Sequence, residues 1–262
     1  MSFFLNANGV FAKALRQFVF YFALIALWKF LFSLKLWPSY LFPSPEQVWE
    51  TLVTGFQNKT FLFGIAVSLR RLLIGYFISI VFGTALGFFI GKVKILGETV
   101  GGFFVGLQTL PSICWLPLAM LWFGMNETAV IFMVVMGSLL SITIATDSGV
   151  KDIQPIYVRA GRNMGADGVR MFTNVVLPAA LPSILSGLKQ GWSFAWRSLI
   201  AGEIIFTGLG LGHLLKVGRE LNDMSQVIAV MIVIVALGVF MDMLVFGSLE
   251  RHVRRVWGLE RK

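Results

Sequence analysis

A single cysteine, Cys114, rules out an internal disulfide, and two histidines far apart, His213 and His252, supply no metal-ligand spacing. Charge is scarce as well. Asp, Glu, Lys and Arg make up 13% of the 262 residues, against roughly 25% in soluble domains. No G-x-x-x-x-G-K-[ST] phosphate loop is present, because Gly91-Lys92 runs on into Val93 where the motif needs Ser or Thr. HExxH, GxSxG and paired catalytic carboxylates are missing too. The chain carries none of the chemistry of an ATPase, a zinc protease or a serine hydrolase, and it offers no cofactor or metal site of its own.

What the sequence has in plenty is apolar length. Hydrophobic residues make up 57% of the chain, gathered in runs near or above the ~18 that mark a membrane-spanning helix. The expectation is an all-α integral membrane protein with six spans, over Gln17–Leu34, Ala66–Ile90, Val100–Gly124, Ala129–Thr146, Ser183–Ile205 and Val227–Ser248. The first run, from Phe18, is longer than a typical signal-peptide core and no small-x-small cleavage site follows it, so it reads as a mature span.

The net charge of +9 reads as topology and contact with anionic lipid rather than nucleic-acid binding, because Lys and Arg mark cytoplasmic loops. With residues 1–16 inside, Lys13, Arg16, Lys92, Lys94, Lys151, Arg159, Arg162, Arg170, Arg251, Arg254, Arg255, Arg261 and Lys262 fall on the cytoplasmic side. Only Lys35, Lys59, Lys216 and Arg219 lie clearly outside. Both termini are expected in the cytoplasm, with a basic tail at 249–262. Arg70 and Arg71 sit one turn into the second span on the unfavoured side. Either that span starts later, after an interfacial helix, which is the favoured reading, or they face a polar path.

Two loops exceed what a hairpin needs. The outer one, 35–65, contains Ser44-Pro45-Glu46-Gln47, a capping box with proline at the first helical position. Val48, Trp49 and Leu52 then predict a short helix at the membrane surface. In the inner loop, 147–182, Ile153, Ile156, Tyr157, Ala160, Gly161 and Met164 recur on one helical face, and Gly165 stands where a glycine stop belongs. Asp167 can cap a second short helix bearing Val169, Phe172 and Val176. Pro178 is expected to break that helix and Pro182 to open the fifth span.

Here the chain resembles the inner-membrane permeases of type I ABC importers, whose hallmark is EAA, three residues, G, about nine residues, then I-x-L-P. The matching stretch is RAGRNMGADGVRMFTNVVLP, from Arg159 to Pro178. Ala160, Gly165, Leu177 and Pro178 match. Arg159 replaces the glutamate, Gly161 the second alanine and Val175 the isoleucine. LQTLPSICWLPLAMLWFG, GLKQGWSFAWRSLIAGEII, GLGLGHLL, LFPSPEQVW and the closing DMLVFGSLERHVRRVWG look like the nitrate, taurine and aliphatic-sulfonate branch, though permeases for thiamine precursors share the pattern.

The resemblance implies a bacterial inner-membrane protein working as a homodimer, with two ABC ATPase subunits and an extracytoplasmic substrate-binding protein. ATP and magnesium would be bound by the ATPase. The ATPase-docking residues it implies are Arg159, Ala160, Gly161, Gly165, Ala166, Asp167, Leu177 and Pro178. A self-sufficient secondary transporter would need intramembrane coupling acids and usually internal repeats; only Glu203 and Asp242 are at hand, and the two halves show no repeat.

Polar groups inside spans are candidates for the translocation path. On the fifth span these are Arg197, Glu203, Ser193 and the pair Trp192 and Trp196. Arg197 would favour an oxyanion such as a sulfonate or nitrate, whereas Glu203 could equally pair with an arginine to hold the bundle. Pro111 and Pro117 interrupt the third span, which makes Thr109, Ser112 and Trp115 pore candidates or parts of a structural kink. Ser138 and Ser141 on the fourth span either line the pore or bond neighbouring helices. Gly83 and Gly87 read as a close-packing stripe. Asp242 needs a partner that the sequence does not name.

Overall fold

Helix dominates the computed structural model, which describes residues 2–206 and 208–256, and no strand occurs among them. Five helices are long and apolar enough to cross a membrane, and a sharply bent pair makes a sixth crossing if it is one span. The chain divides into two units, Met1–Phe61 with Leu214–Ile232, and Leu62–His213 with Val233–Lys262.

In the first unit α1 runs Ser2–Ser33, with its span-length apolar stretch at Leu15–Ser33. That stretch buries nothing: Phe18, Phe20, Phe22 and Phe30 all point outward, as suits a helix surrounded by lipid tails. The expected surface helix is α2, Pro45–Gln57, and its capping box is complete. Gln47 N–H donates to Ser44 Oγ at 3.2 Å and Ser44 N–H to Gln47 Oε1 at 2.9 Å. Trp28 Nε1 donates to the Pro43 carbonyl at 3.0 Å, and Lys29 pairs with Glu46. The hydrogen bond from Lys29 holds the Glu46 carboxyl below the usual carboxylate range.

The second unit holds the core. α3 spans Thr60–Lys92, α6 Glu127–Lys151 and α9 Leu177–Ile205. Glycines at every fourth position along α3 (Gly83, Gly87 and Gly91, with Gly75 two turns earlier) meet α6, and Ser79 fills the missing place. A Cβ on Gly87 would lie 2.5 Å from Thr146 Cβ and 2.6 Å from the Thr143 carbonyl. α9 approaches α6 through Gly187 and Gly191 on one side and Gly149 on the other. With lipid as apolar as the helices, backbone proximity and dispersion hold such a bundle. Gly87→Val should therefore cost at least the ~1–3 kcal/mol of an overpacked core. A fluorescence-detected melt of the detergent-solubilised protein checks this, and an unchanged midpoint would show that the α3–α6 seam yields freely.

Arg70 and Arg71 lie inside one continuous helix, α3, which starts at Thr60, and both find carboxylates, described below. The third span is interrupted at Pro111, as expected. α4, Lys94–Gln108, ends before Pro111, and a 3₁₀ turn, Ser112–Trp115, leads into α5, Leu116–Phe123, at 104° to α4. Proline at 111 pushes Leu110 out of the helical region, and Pro117 supplies a helix start.

One expectation needs correction: Pro178 does not end the second short helix of the inner loop. α8, Gly168–Met171, passes through a π-helical turn, Phe172–Val176, straight into α9. The wider π turn makes room where proline would clash with the carbonyl four residues back. Pro182 accordingly sits inside α9 rather than at its start. The sixth span, α11 at Met224–Met241, has a similar π turn at Asp242–Phe246 before α12, Gly247–Val256. Arg261, Lys262 and Gly258 of the basic tail lie outside the described residues.

Candidate functional site

The inner loop supplies the first candidate surface. α7 covers Pro155–Asn163 and ends in a full Schellman motif: Ala166 N–H donates to Gly161 O and Gly165 N–H to Arg162 O, both at 2.9 Å. Gly165 adopts φ +78°, a left-handed conformation that costs an L side chain about 1–2 kcal/mol. Ala166 contributes its amide, and Asp167 stands at the cap of α8 without a side-chain capping bond, contrary to expectation. Gly161 is buried because a Cβ there would come 2.9 Å from Val175. Where the resemblance has alanine, glycine leaves room for Val175 of the π turn.

The apolar face of α7 is not buried inside the chain. Ile156, Tyr157 and Ala160 are exposed, Met164 is 86% exposed, and Val169 on α8 is open as well. Arg159, Arg162 and Arg170 are exposed around them, while Leu177 and Pro178 are half-buried at the start of α9. This is an apolar patch with a basic rim.

The second candidate is a cavity of about 350 Å³ between the broken span, α6 and α9. Its polar lining is Gln108, Thr109, Ser112 and Arg197, set among Leu110, Trp115, Met136, Leu140 and Phe194. The turn at 109–111 exists because the helix breaks there. Thr109 Oγ1 donates to Gly106 O at 2.7 Å and so helps close α4. Arg197 lies over the Phe194 ring at 5.2 Å and makes no ion pair among the described residues. No carboxylate lines the cavity. A lone guanidinium with hydroxyls and an amide around it suits an oxyanion.

Arg197, Thr109, Ser112 and Trp115 are thus brought together from two separate stretches. The other expected path residues are not. Trp192 is buried, edge-on to Tyr76 at 5.1 Å and tilted against Phe246. Trp196 is half-buried toward Gly238. Ser193 Oγ donates to Lys189 O. Ser138 is buried and bonds Ser79 Oγ at 2.8 Å, while Ser141 is buried among packed helices.

Glu203 belongs to a third constellation. Its side chain is fully buried, and Arg71 Nη1 lies 2.9 Å from it. Ser68 Oγ is 2.7 Å away, and Gly212 N–H donates at 3.0 Å from the first turn of α10, Leu211–Glu220. Arg71 also donates to Leu209 O at 2.8 Å, and Leu211 N–H donates to Ser68 Oγ. A Cβ on Gly210 would fall 2.5 Å from the Glu203 carboxylate, so only glycine lets the turn wrap it this closely. Beside this cluster Arg70 pairs with Glu127, and Arg71 Nε lies 3.8 Å from Glu127. Asp242 finds Lys189 at 3.4 Å. Sequence reasoning missed Gln108 and Ser68, since nothing local distinguishes either from an ordinary polar residue near a helix end.

The profile of the family described as "Binding-protein-dependent transport system inner membrane component" matches residues 79–258. The taurine transport system permease protein of Escherichia coli K12 is 30% identical, over 88% of this chain and 85% of its own. The nitrate import permease protein of Synechocystis is 28% identical over 88% and 86%. The putative aliphatic sulfonates transport permease protein of Escherichia coli K12 is 31% identical over 84% and 83%. Among solved structures, the inward-facing methionine ABC transporter MetNI gives a TM-score of 0.65 at 19% identity, over 74% of this chain and 96% of that one. An amino acid ABC transporter gives 0.59 at 18% identity, over 77% and 97%.

Proposed function

Since the chain belongs to the binding-protein-dependent inner-membrane components, as a non-catalytic permease subunit of an ABC importer, we propose that it carries a small oxyanion past Arg197 by ATP-driven alternating access. One observation carries the substrate class: Arg197 stands without a carboxylate in a cavity lined by Gln108, Thr109 and Ser112. A sulfonate or nitrate would complete its charge and hydrogen bonding. Two copies of the chain build the pathway, both termini face the cytoplasm, and anionic lipid meets the basic loops. A substrate-binding protein delivers solute from outside. The ATPase partner binds ATP and magnesium, and no step of hydrolysis falls to this chain.

The partner docks on the apolar patch of α7 and α8. Ile156, Tyr157 and Met164 would fill a groove on it, with Arg159, Arg162 and Arg170 at the rim. Fully covering one such side chain is worth about 1.5–3 kcal/mol. Gly165→Asp puts a Cβ into the left-handed turn and sets a negative charge among the arginines. The ATPase should no longer co-purify with this variant, and ATP-dependent uptake should vanish. Wild-type association would sink the docking reading. Vesicles containing the whole complex, offered taurine, butanesulfonate and nitrate in turn, test the substrate class. Transport of none of the three removes it.

A further inference from the structure

α9 turns its small residues, Gly187, Gly191, Ala195 and Gly202, into the bundle, and all four are buried. The opposite side reads Ser186, Gln190, Ser193 and Arg197, at i, i+4, i+7 and i+11, which is one helical face. Ser186, Gln190 and Arg197 are exposed and Ser193 is half-buried. Ser186 and Ser193 satisfy their hydroxyls on carbonyls of their own helix. Gln190 has no hydrogen-bond partner among the described residues. An amide and a guanidinium on a spanning helix cannot face hydrocarbon without a large desolvation cost. Arg197 belongs both to this stripe and to the cavity, so the stripe extends the cavity's polar wall along α9.

We propose that the solute moves along this stripe between the cavity and the inner-loop end of α9, and that Gln190 is its intermediate hydrogen-bonding station. The eleven-residue spacing at 1.5 Å per residue makes the stripe about 17 Å long, more than half of a ~30 Å hydrocarbon core. Gln190 lies about 10 Å from Arg197 along the axis, near the middle of that interval. Its amide N–H groups can donate to an oxyanion that has left the guanidinium. As a neutral donor it holds the anion more weakly than arginine does, which a station that must release its cargo requires. This rests on the reading that the Arg197 cavity lies on the route.

The test uses the whole complex in vesicles of known orientation, with whichever of taurine, butanesulfonate and nitrate the wild type carries. Gln190→Leu should lower maximal uptake about tenfold, the size of one lost hydrogen bond to a charged group. Gln190→Asn should keep most of it, and both variants should co-purify with the ATPase. In a Cys114→Ala background, Gln190→Cys should react with methanethiosulfonate ethylsulfonate, which is charged and water-soluble. That modification should stop uptake, and the carried solute should slow it.

Full uptake by Gln190→Leu overturns the proposal. So does labelling of Gln190→Cys by lipid-soluble maleimide alone, which would place the stripe in lipid. Efficient cross-linking of the same cysteine to a second copy, with no protection by solute, would overturn it by making the stripe a helix–helix seam. If Arg197→Ala abolishes uptake while Gln190→Leu leaves it intact, the cavity reading stands and the track fails. If neither variant affects uptake, the cavity reading itself fails.

Discussion

Arg197→Ala should reduce ATP-dependent uptake at least a hundredfold while the permease still assembles with its ATPase. The side chain is exposed at the cavity wall and makes no ion pair among the described residues, so removing it breaks no salt bridge of the fold. What is lost is the charge-assisted contact with the solute. Its value rises where water is excluded, and bidentate guanidinium–oxyanion pairs are among the strongest of these bonds. A loss of about 3 kcal/mol at the barrier corresponds to a little more than a hundredfold in rate. Arg197→Lys keeps the charge but loses the planar fork, so intermediate uptake is expected. The measurement is initial uptake rate in vesicles at saturating binding protein, alongside pull-down of the ATPase. Wild-type rates for Arg197→Ala would remove the residue from the route.

Glu203→Ala should act on stability rather than on the solute. It takes from buried Arg71 its near carboxylate, leaving Glu127 at 3.8 Å, and it leaves Gly212 N–H and one hydrogen-bonding position of Ser68 without their acceptor. Breaking a buried pair from one side costs about 3–5 kcal/mol, because the surviving charge stays desolvated. A large drop in the melting midpoint of the purified protein is expected. The double variant Arg71→Leu/Glu203→Leu should be markedly less harmful than the two single losses added together, since no lone charge remains. Strict additivity would mean the two side chains do not interact as the geometry requires. Of the two readings that the sequence left open for Glu203, the contacts match the pairing with an arginine: its carboxylate is taken up by Arg71, Ser68 and the α10 amide.

Features governed by neighbours in sequence were readable in advance. Ser44 and Gln47 form their capping box three residues apart, and Gly165 stops α7 because the chain must turn left-handed there. The every-fourth-residue glycines of α3 follow from helical repeat alone. Features governed by distant partners were not readable. Ser68 and Arg71 meet Glu203 across more than 130 residues, and Asp242 meets Lys189 across two spans, so no local pattern announces either pairing. The prolines were readable in one place and misleading in another. At 111 the chain breaks, as Pro111 and Pro117 led one to expect. At 178 a π turn absorbs the clash, and the helix that proline was expected to end runs on. Arg197 was visible as an expensive residue, but its company of Gln108, Thr109 and Ser112 depends on how α4 bends.

Through the π turn at Phe172–Val176, residues 168–205 run on as one helical rod, from the inner loop to the far end of the fifth span. At 1.5 Å per residue the rod is about 56 Å long, and Arg197 stands about 44 Å from its loop end. Under the proposed docking, the ATPase would push on the long arm of a lever whose short arm carries the anion's guanidinium. The glycine contacts with α6 at Gly187 and Gly191 lie closer to Arg197 than to the loop end. A tilt of a few degrees about those contacts would then displace Arg197 by about an ångström without any helix having to unfold. The widened turn is the rod's softest joint, so stiffening or loosening it would tune how much of each push arrives.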